Sequence, residues 1–203
     1  MYMHFKQPNI IRIIGNIGSG KSTLLNFLKK ERPDYFILDE PVETNPLLDL
    51  YYKEPEKWGM HLQVFMEDAY YQGLQESKKD NILTDFGLTR VFTQTLHKQG
   101  FLDTKRFEML KIISNKYEVS LPKPIYFYIM TEPKICLKRI KSRGRICEQN
   151  IKLDYLKDLD FFYKEFIENQ KNPSRHVLNI SVNFKYSRIL EYLEIIESDR
   201  IKK

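Results

Sequence analysis

The sequence predicts an α/β fold: a five-stranded parallel sheet with helices on both faces. Three observations predict it. Short β-branched or aromatic runs alternate along the chain with segments whose apolar residues recur at helical spacing. Runs of that kind, bounded by turn residues, read as buried strands of a sheet covered on both faces. No repeat and no Pro/Gly/Ser-rich linker divides the 203 residues, so one domain over 1–203 is expected.

Each element has its own signal. Residues 10–14 form a β-branched run broken only by Arg12 and closed by Gly15. Leu24, Leu25, Phe27 and Leu28 place a helix over 22–32, which Pro33 stops. Residues 35–38 are the second strand, ended by Asp39, Glu40 and Pro41. Asn45 and Pro46 read as the N-cap and first residue of a short helix through Tyr52. A long helix over 58–76 leads to a third strand at 81–84, closed by Asp85. Helices over 88–98 and 103–116, with Gly100 between them, precede a fourth strand at 125–130. A helix rich in Lys and Arg starts at Thr131. A helix over 153–170, a fifth strand at 177–180 and a helix over 186–198 complete the order.

Composition excludes several classes. With 42% hydrophobic and 30% charged residues the chain is neither disordered nor fibrous, and eight Gly with nine Pro exclude collagen-like sequence. No apolar run approaches the roughly 18–20 residues of a membrane span. Lys6, Gln7, Pro8 and Asn9 lack the apolar stretch of a signal peptide. Cys136 and Cys147 fit no disulfide or metal spacing and suit a reducing, cytoplasmic compartment. A net charge of +6 serves a nucleic-acid surface or a polyphosphate equally. Zinc-finger spacing and a base-stacking aromatic ladder are both missing, and charge alone decides nothing; the expectation is small-molecule ligands, with no nucleic acid and no membrane as partner. His4, His61, His97 and His176 match no motif role.

The strongest local signal is Gly15-Asn16-Ile17-Gly18-Ser19-Gly20-Lys21-Ser22, which fits G-x-x-x-x-G-K-[ST] at every fixed position. A strand enters it and an amphipathic helix leaves it. Its glycines let backbone N–H groups curl around phosphate oxygens at a positive helix N-terminus. Lys21 is expected on the β and γ phosphates and Ser22 on Mg²⁺, with Thr23 completing the cofactor-binding set. Such a cradle implies a nucleoside triphosphate with Mg²⁺, ATP in a kinase, without naming a reaction. A guanine-reading motif is not present: Asn115-Lys116-Tyr117-Glu118 follows a helical stretch and ends in Glu. Asp85-Phe86-Gly87 mimics a protein-kinase triplet without the rest of that signature.

Phosphoryl transfer to a hydroxyl needs a base, a metal clamp and cations on the migrating group. Candidates stand at strand ends and helix starts, where ligands of open α/β sheets bind. Glu40 follows the second strand and Asp85 the third. Arg139, Arg143 and Arg145, with Glu148, follow the fourth. Arg139 and Arg143 are four apart and share a helix face, while Cys136 and Ile140 face elsewhere.

On these residues the chain resembles the deoxynucleoside kinases over nearly its whole length. The cradle, Glu40-Pro41-Val42, the Tyr-x-x-Pro-Glu-x-Trp stretch from Tyr52 to Trp58, and Gln63 five residues later come in the family's order. The segment 136–149, CLKRIKSRGRICEQ, resembles the family lid, and Asn183-Phe184-Lys185 the loop on the donor base. The resemblance implies a P-loop kinase fold with a short arginine-rich lid at about 139–150. It implies Glu40 as general base for the 5′-hydroxyl, Tyr52 and Glu148 on the sugar 3′-hydroxyl, Gln63 on the base edge and Phe92 stacked on the base. Arg139, Arg143 and Arg145 would close over the donor phosphates. Asp85 would serve near Mg²⁺ beside Ser22, and a homodimer is expected.

The sequence departs from the family after the third strand. Asp/Glu-Arg-Ser is usual there, and here Phe86 stands in the arginine's place. Arg90, about one helical turn on, is the candidate substitute. Asn45 stands where many members carry tryptophan. On the helix of Gln63, Met66 and Tyr70 occupy the places of a small residue and an arginine that accompany amino-bearing bases. A pyrimidine preference, thymidine above deoxycytidine, is therefore expected. Two alternatives stay open: a nucleoside monophosphate kinase, and a nucleotide-binding protein that has lost catalysis.

Overall fold

The computed structural model describes residues 9–77, 79–170, 177–181 and 185–201. Its five strands are β1 (Asn9–Gly15), β2 (Phe36–Leu38), β3 (Asn81–Thr84), β4 (Ile125–Ile129) and β5 (Val177–Ile180). All pair in parallel, in the order β2-β3-β1-β4-β5. Among the described residues, eight helices lie between and after them: α1 (Lys21–Glu31), α2 (Leu48–Lys53), α3 (Pro55–Glu76), α4 (Thr89–Lys98), α5 (Thr104–Ser120), α6 (Pro133–Arg143), α7 (Leu153–Glu168) and α8 (Ser187–Ile201). A 3-10 turn, Ile146–Glu148, follows α6. Among the described residues, no helix is long and apolar enough to cross a membrane.

Strand periodicity divides the core. Ile11 and Ile13 of β1 pack with Leu24, Leu25 and Leu28 of α1 and with Ile189 and Leu193 of α8. Ile14 faces the other side with Tyr126, Tyr128, Leu159 and Tyr163, and Ile10 joins Leu62, Met66 and Tyr70 there. Arg12 shares the parity of Ile10 and Ile14, so a charged side chain is directed into this second face. The chain returns to β1 from both flanks, and the switch in strand order lies above the C-terminal end of β1, where the cradle begins.

Three helix starts differ from expectation, each for a local reason. Asn45 Oδ1 accepts the Leu47 N–H at 2.9 Å, which makes an Asx turn through Pro46 rather than a helix cap, and α2 starts at Leu48. α3 begins at Pro55 and α6 at Pro133, since proline is pre-organised for a first helical turn. Thr131, expected to open α6, instead donates its hydroxyl to the Ser19 carbonyl at 3.1 Å. Asp103 caps α5 by accepting the Arg106 N–H at 2.8 Å, and the helix continues to Ser120.

Candidate active site

The segment between β1 and α1 is shaped by glycine. Gly15, Gly18 and Gly20 have φ of 148°, 75° and 111°. A Cβ at Gly18 would lie 2.7 Å from the Cys136 carbonyl oxygen, so the loop passes directly under α6. No side chain caps α1 and no acidic residue occupies its first turn. Its N–H groups and positive dipole end are left for an anion. Lys21 Nζ donates to the Gly15 and Asn16 carbonyls, each at 3.1 Å, and Asn16 Nδ2 ties the loop to the Leu156 carbonyl at 2.7 Å.

Two carboxylates meet this cradle from the neighbouring strands. Ser22 Oγ donates to Asp85 Oδ2 at 2.7 Å, and the Glu40 N–H donates to Asp85 Oδ1 at 3.3 Å. Burial pushes the Glu40 carboxyl up to about 7. Lys21 opposes that, Asp85 adds to it, and Arg12 and the Gly87 N–H hold it down. Its environment is that of a base poised near neutral pH. The paired Ser22 and Asp85 oxygens are hard donors that fit Mg²⁺, which takes one or two protein oxygens and completes its shell with phosphate and water.

One cavity of about 520 Å³ joins these parts. Gly18, Lys21, Ser22 and Thr23 line it together with Glu40, Tyr52, Gln63, Met66, Phe92 and Glu148. Burial, then Tyr51 and Glu148, raise the Tyr52 phenol well above its ordinary value, so it acts as a hydrogen-bond donor. Gln63 is almost fully buried, with its amide at the cavity wall. Asn45, also a lining residue, donates Nδ2 to Met66 Sδ at 3.4 Å.

The arginines after β4 converge on the same space. Arg139 Nη1 donates to the Ser19 carbonyl at 2.9 Å, which holds α6 against the cradle. Glu148 is buried and takes Arg143 at 2.5 Å and Arg145 at 3.4 Å. Arg139, Arg143 and Arg145 all line the cavity. Cys136 and Ile140 are buried beneath α6, where Ile140 packs against Gly18 of the cradle.

Not every expected residue is brought there. Arg90 is directed away: its guanidinium bonds Glu118 at 2.6 Å and Asn115 at 3.2 Å across α5, and it lines a separate small cavity with Lys111. The second position of α4 faces α5, so the structure places Arg90 away from the acceptor end. Tyr70 does not line the main cavity either; it packs against Phe86, with the ring centroids 5.4 Å apart. Asp85 is likewise buried, its carboxylate held by Ser22 Oγ and the Glu40 N–H at the cavity edge. Asn183 and Phe184 lie outside the described residues.

Sequence reasoning passed over Arg12. Its Nε donates to the Phe86 carbonyl at 3.1 Å and Nη2 to the Gly87 carbonyl at 2.5 Å, and its guanidinium lies 4.1 Å over the Tyr70 ring. The signal was available: a lone charge inside an apolar strand. Phe86, in the place of the family's arginine, is turned into the core.

Comparison with known proteins agrees with this arrangement. The profile of the family described as deoxynucleoside kinase matches residues 11–197. A deoxyguanosine kinase of Dictyostelium discoideum is 30% identical over 183 residues, 86% of this chain; the chain spans 64% of that protein's length. Human mitochondrial thymidine kinase 2 is 27% identical over 206 residues, covering 93% of this chain and 76% of that one. The structure of deoxyadenosine kinase from M. mycoides with bound dCTP superposes with a TM-score of 0.80 at 27% identity, over 92% of this chain and 100% of that one. With a phosphate cradle, a poised carboxylate and a lid of arginines on one parallel sheet, and with the family profile matched from β1 to α8, the chain belongs to the deoxynucleoside kinase family.

Proposed function

We propose that this protein transfers the γ-phosphoryl group of ATP to the 5′-hydroxyl of a deoxynucleoside. The observation that carries the reading is the single cavity that holds both the uncapped N-terminus of α1 and the raised carboxyl of Glu40. In this reading the cradle N–H groups and Lys21 bind the donor phosphates, and Glu40 accepts the hydroxyl proton as the nucleophile forms. Ser22 and Asp85 would hold Mg²⁺, which neutralises charge on the phosphates when bound. Arg139, Arg143 and Arg145 stabilise charge on the migrating group. Tyr52 and Glu148 hold the sugar, Gln63 reads the base edge and Phe92 stacks on the base.

A pyrimidine preference, thymidine above deoxycytidine, belongs to this reading. Gln63 offers one acceptor and one two-hydrogen donor, which match the O4 and N3–H edge of thymine. Met66 at the cavity wall packs against a methyl group, and Tyr70 supplies no charge to an exocyclic amine. A cytoplasmic homodimer completes the expectation, checked by light scattering.

The test is ADP release with the four deoxynucleosides and their monophosphates. Turnover on deoxynucleosides with thymidine highest in kcat/KM is expected. Turnover on monophosphates alone would replace the reading with a monophosphate kinase, and binding without turnover would leave a nucleotide-binding protein. A kcat/KM highest for deoxyadenosine or deoxyguanosine would overturn the base preference only.

A further inference from the structure

Arg12 is 8% exposed at the centre of the sheet. Among the described residues no carboxylate lies within ion-pair distance of it; its polar partners are the carbonyls of Phe86 and Gly87. A guanidinium is always charged and presents its N–H groups as a rigid planar fork. Here the fork spans two consecutive carbonyls of the segment between β3 and α4, while the Tyr70 ring covers one face of the cation. Placing a charge in a core is costly unless its hydrogen bonds do something an apolar residue would not.

The segment held this way is the floor of the acceptor end. It follows Asp85, and Gly87 lines the cavity beside Glu40. The Gly87 N–H is one of the groups acting on the Glu40 carboxyl. On its other side Gly87 supports Phe92: a Cβ there would come within 2.8 Å of Phe92 Cε2, so ring and backbone are in close contact. Phe86, between Asp85 and Gly87, packs its ring inward on Tyr70, and its N–H donates to Thr84 Oγ1 at 3.2 Å, which leaves its carbonyl to Arg12.

We propose that Arg12 is a positioning residue for the acceptor site, fixing the Phe86–Gly87 backbone from behind. It touches no ligand-facing surface and acts through Gly87. The proposal rests on the kinase reading above, because the step it serves is proton removal by Glu40.

The test is steady-state kinetics of Arg12→Met and Arg12→Lys with all four deoxynucleosides, alongside melting curves. Arg12→Met removes fork and charge, so kcat is expected to fall by ~10–100-fold while KM for ATP stays within about twofold, as for an interaction felt at the transition state rather than the donor site. Arg12→Lys keeps the charge without the planar fork and is expected to recover part of that loss. A folded Met variant with wild-type kcat overturns the proposal. So does a fall in kcat and melting temperature together with a rise in KM for ATP in both variants, which marks a merely structural core residue. If the Met variant does not fold, the Lys variant decides: reduced kcat at unchanged KM for ATP supports the proposal, and wild-type kcat overturns it. Wild-type protein inactive on every deoxynucleoside removes the kinase reading and this proposal with it. An active wild type with both variants indistinguishable from it removes the proposal alone.

Discussion

Two residues beyond β2, Glu40 sits where burial outweighs Lys21 and holds its carboxyl near 7, against an ordinary value of 4.5. A group whose folded value is raised contributes stability at pH below 4.5, and that contribution is lost as pH rises through 7. Above pH 7 the folded protein carries the cost of an enclosed carboxylate. Glu40→Gln is therefore expected to melt higher than wild type by roughly 4 °C or more at pH 8, with a smaller gain at pH 5. Ligand-free melting curves at the two pH values check this, and an equal difference at both would contradict it. Arg90 gives the opposite case. Its partners are Glu118 and Asn115, and both it and Glu118 are substantially exposed, so the pair is of the kind that contributes little. Arg90→Ala is expected to leave kcat within about twofold and stability within ~1 kcal/mol. A larger loss of kcat would return Arg90 to the acceptor site.

The elements position the site through contacts between layers. α6 lies on the cradle because Gly18 has no side chain, and α4 brings Phe92 onto the β3–α4 segment because Gly87 has none. Gly87→Ala is expected to displace the Phe92 ring and raise KM for the deoxynucleoside by ~10-fold, consistent with the ~1–3 kcal/mol of base–aromatic stacking. KM for ATP should not change; a rise in both constants would place the defect outside the acceptor end. Helix identities were legible from apolar spacing, and the starts of α3 and α6 were not, because Pro55 and Pro133 act as first helical residues rather than breakers. Asn45 made its expected side-chain bond, but to a turn.

At the scale of the whole molecule, the cradle was legible because its chemistry is contained in eight consecutive residues joining a strand to a helix. Glu40 and Asp85 were legible because each stands just past a strand end, where this sheet order gathers ligand-binding groups. What sequence could not show was pairing across layers. Arg12 reads as an interruption of β1 until the sheet places it behind Phe86 and Gly87, 74 and 75 residues away. Arg90 reads as a cation near the site until α5 supplies Glu118. Glu148 and the lid arginines, by contrast, lie within a few residues of one another, and their convergence was visible in the segment itself.

The most direct measurement of the central claim is transfer of labelled γ-phosphate from ATP, in the presence of Mg²⁺, to each of the four deoxynucleosides, with the position of the label determined in the product. Wild-type protein is expected to place it on the 5′-oxygen. Glu40→Gln is expected to bind the deoxynucleoside with affinity within about tenfold of wild type and to lose ~10²–10⁴-fold in turnover, the range of positioned base catalysis. Label on another oxygen, or a Glu40→Gln variant turning over within a few-fold of wild type, would contradict the account.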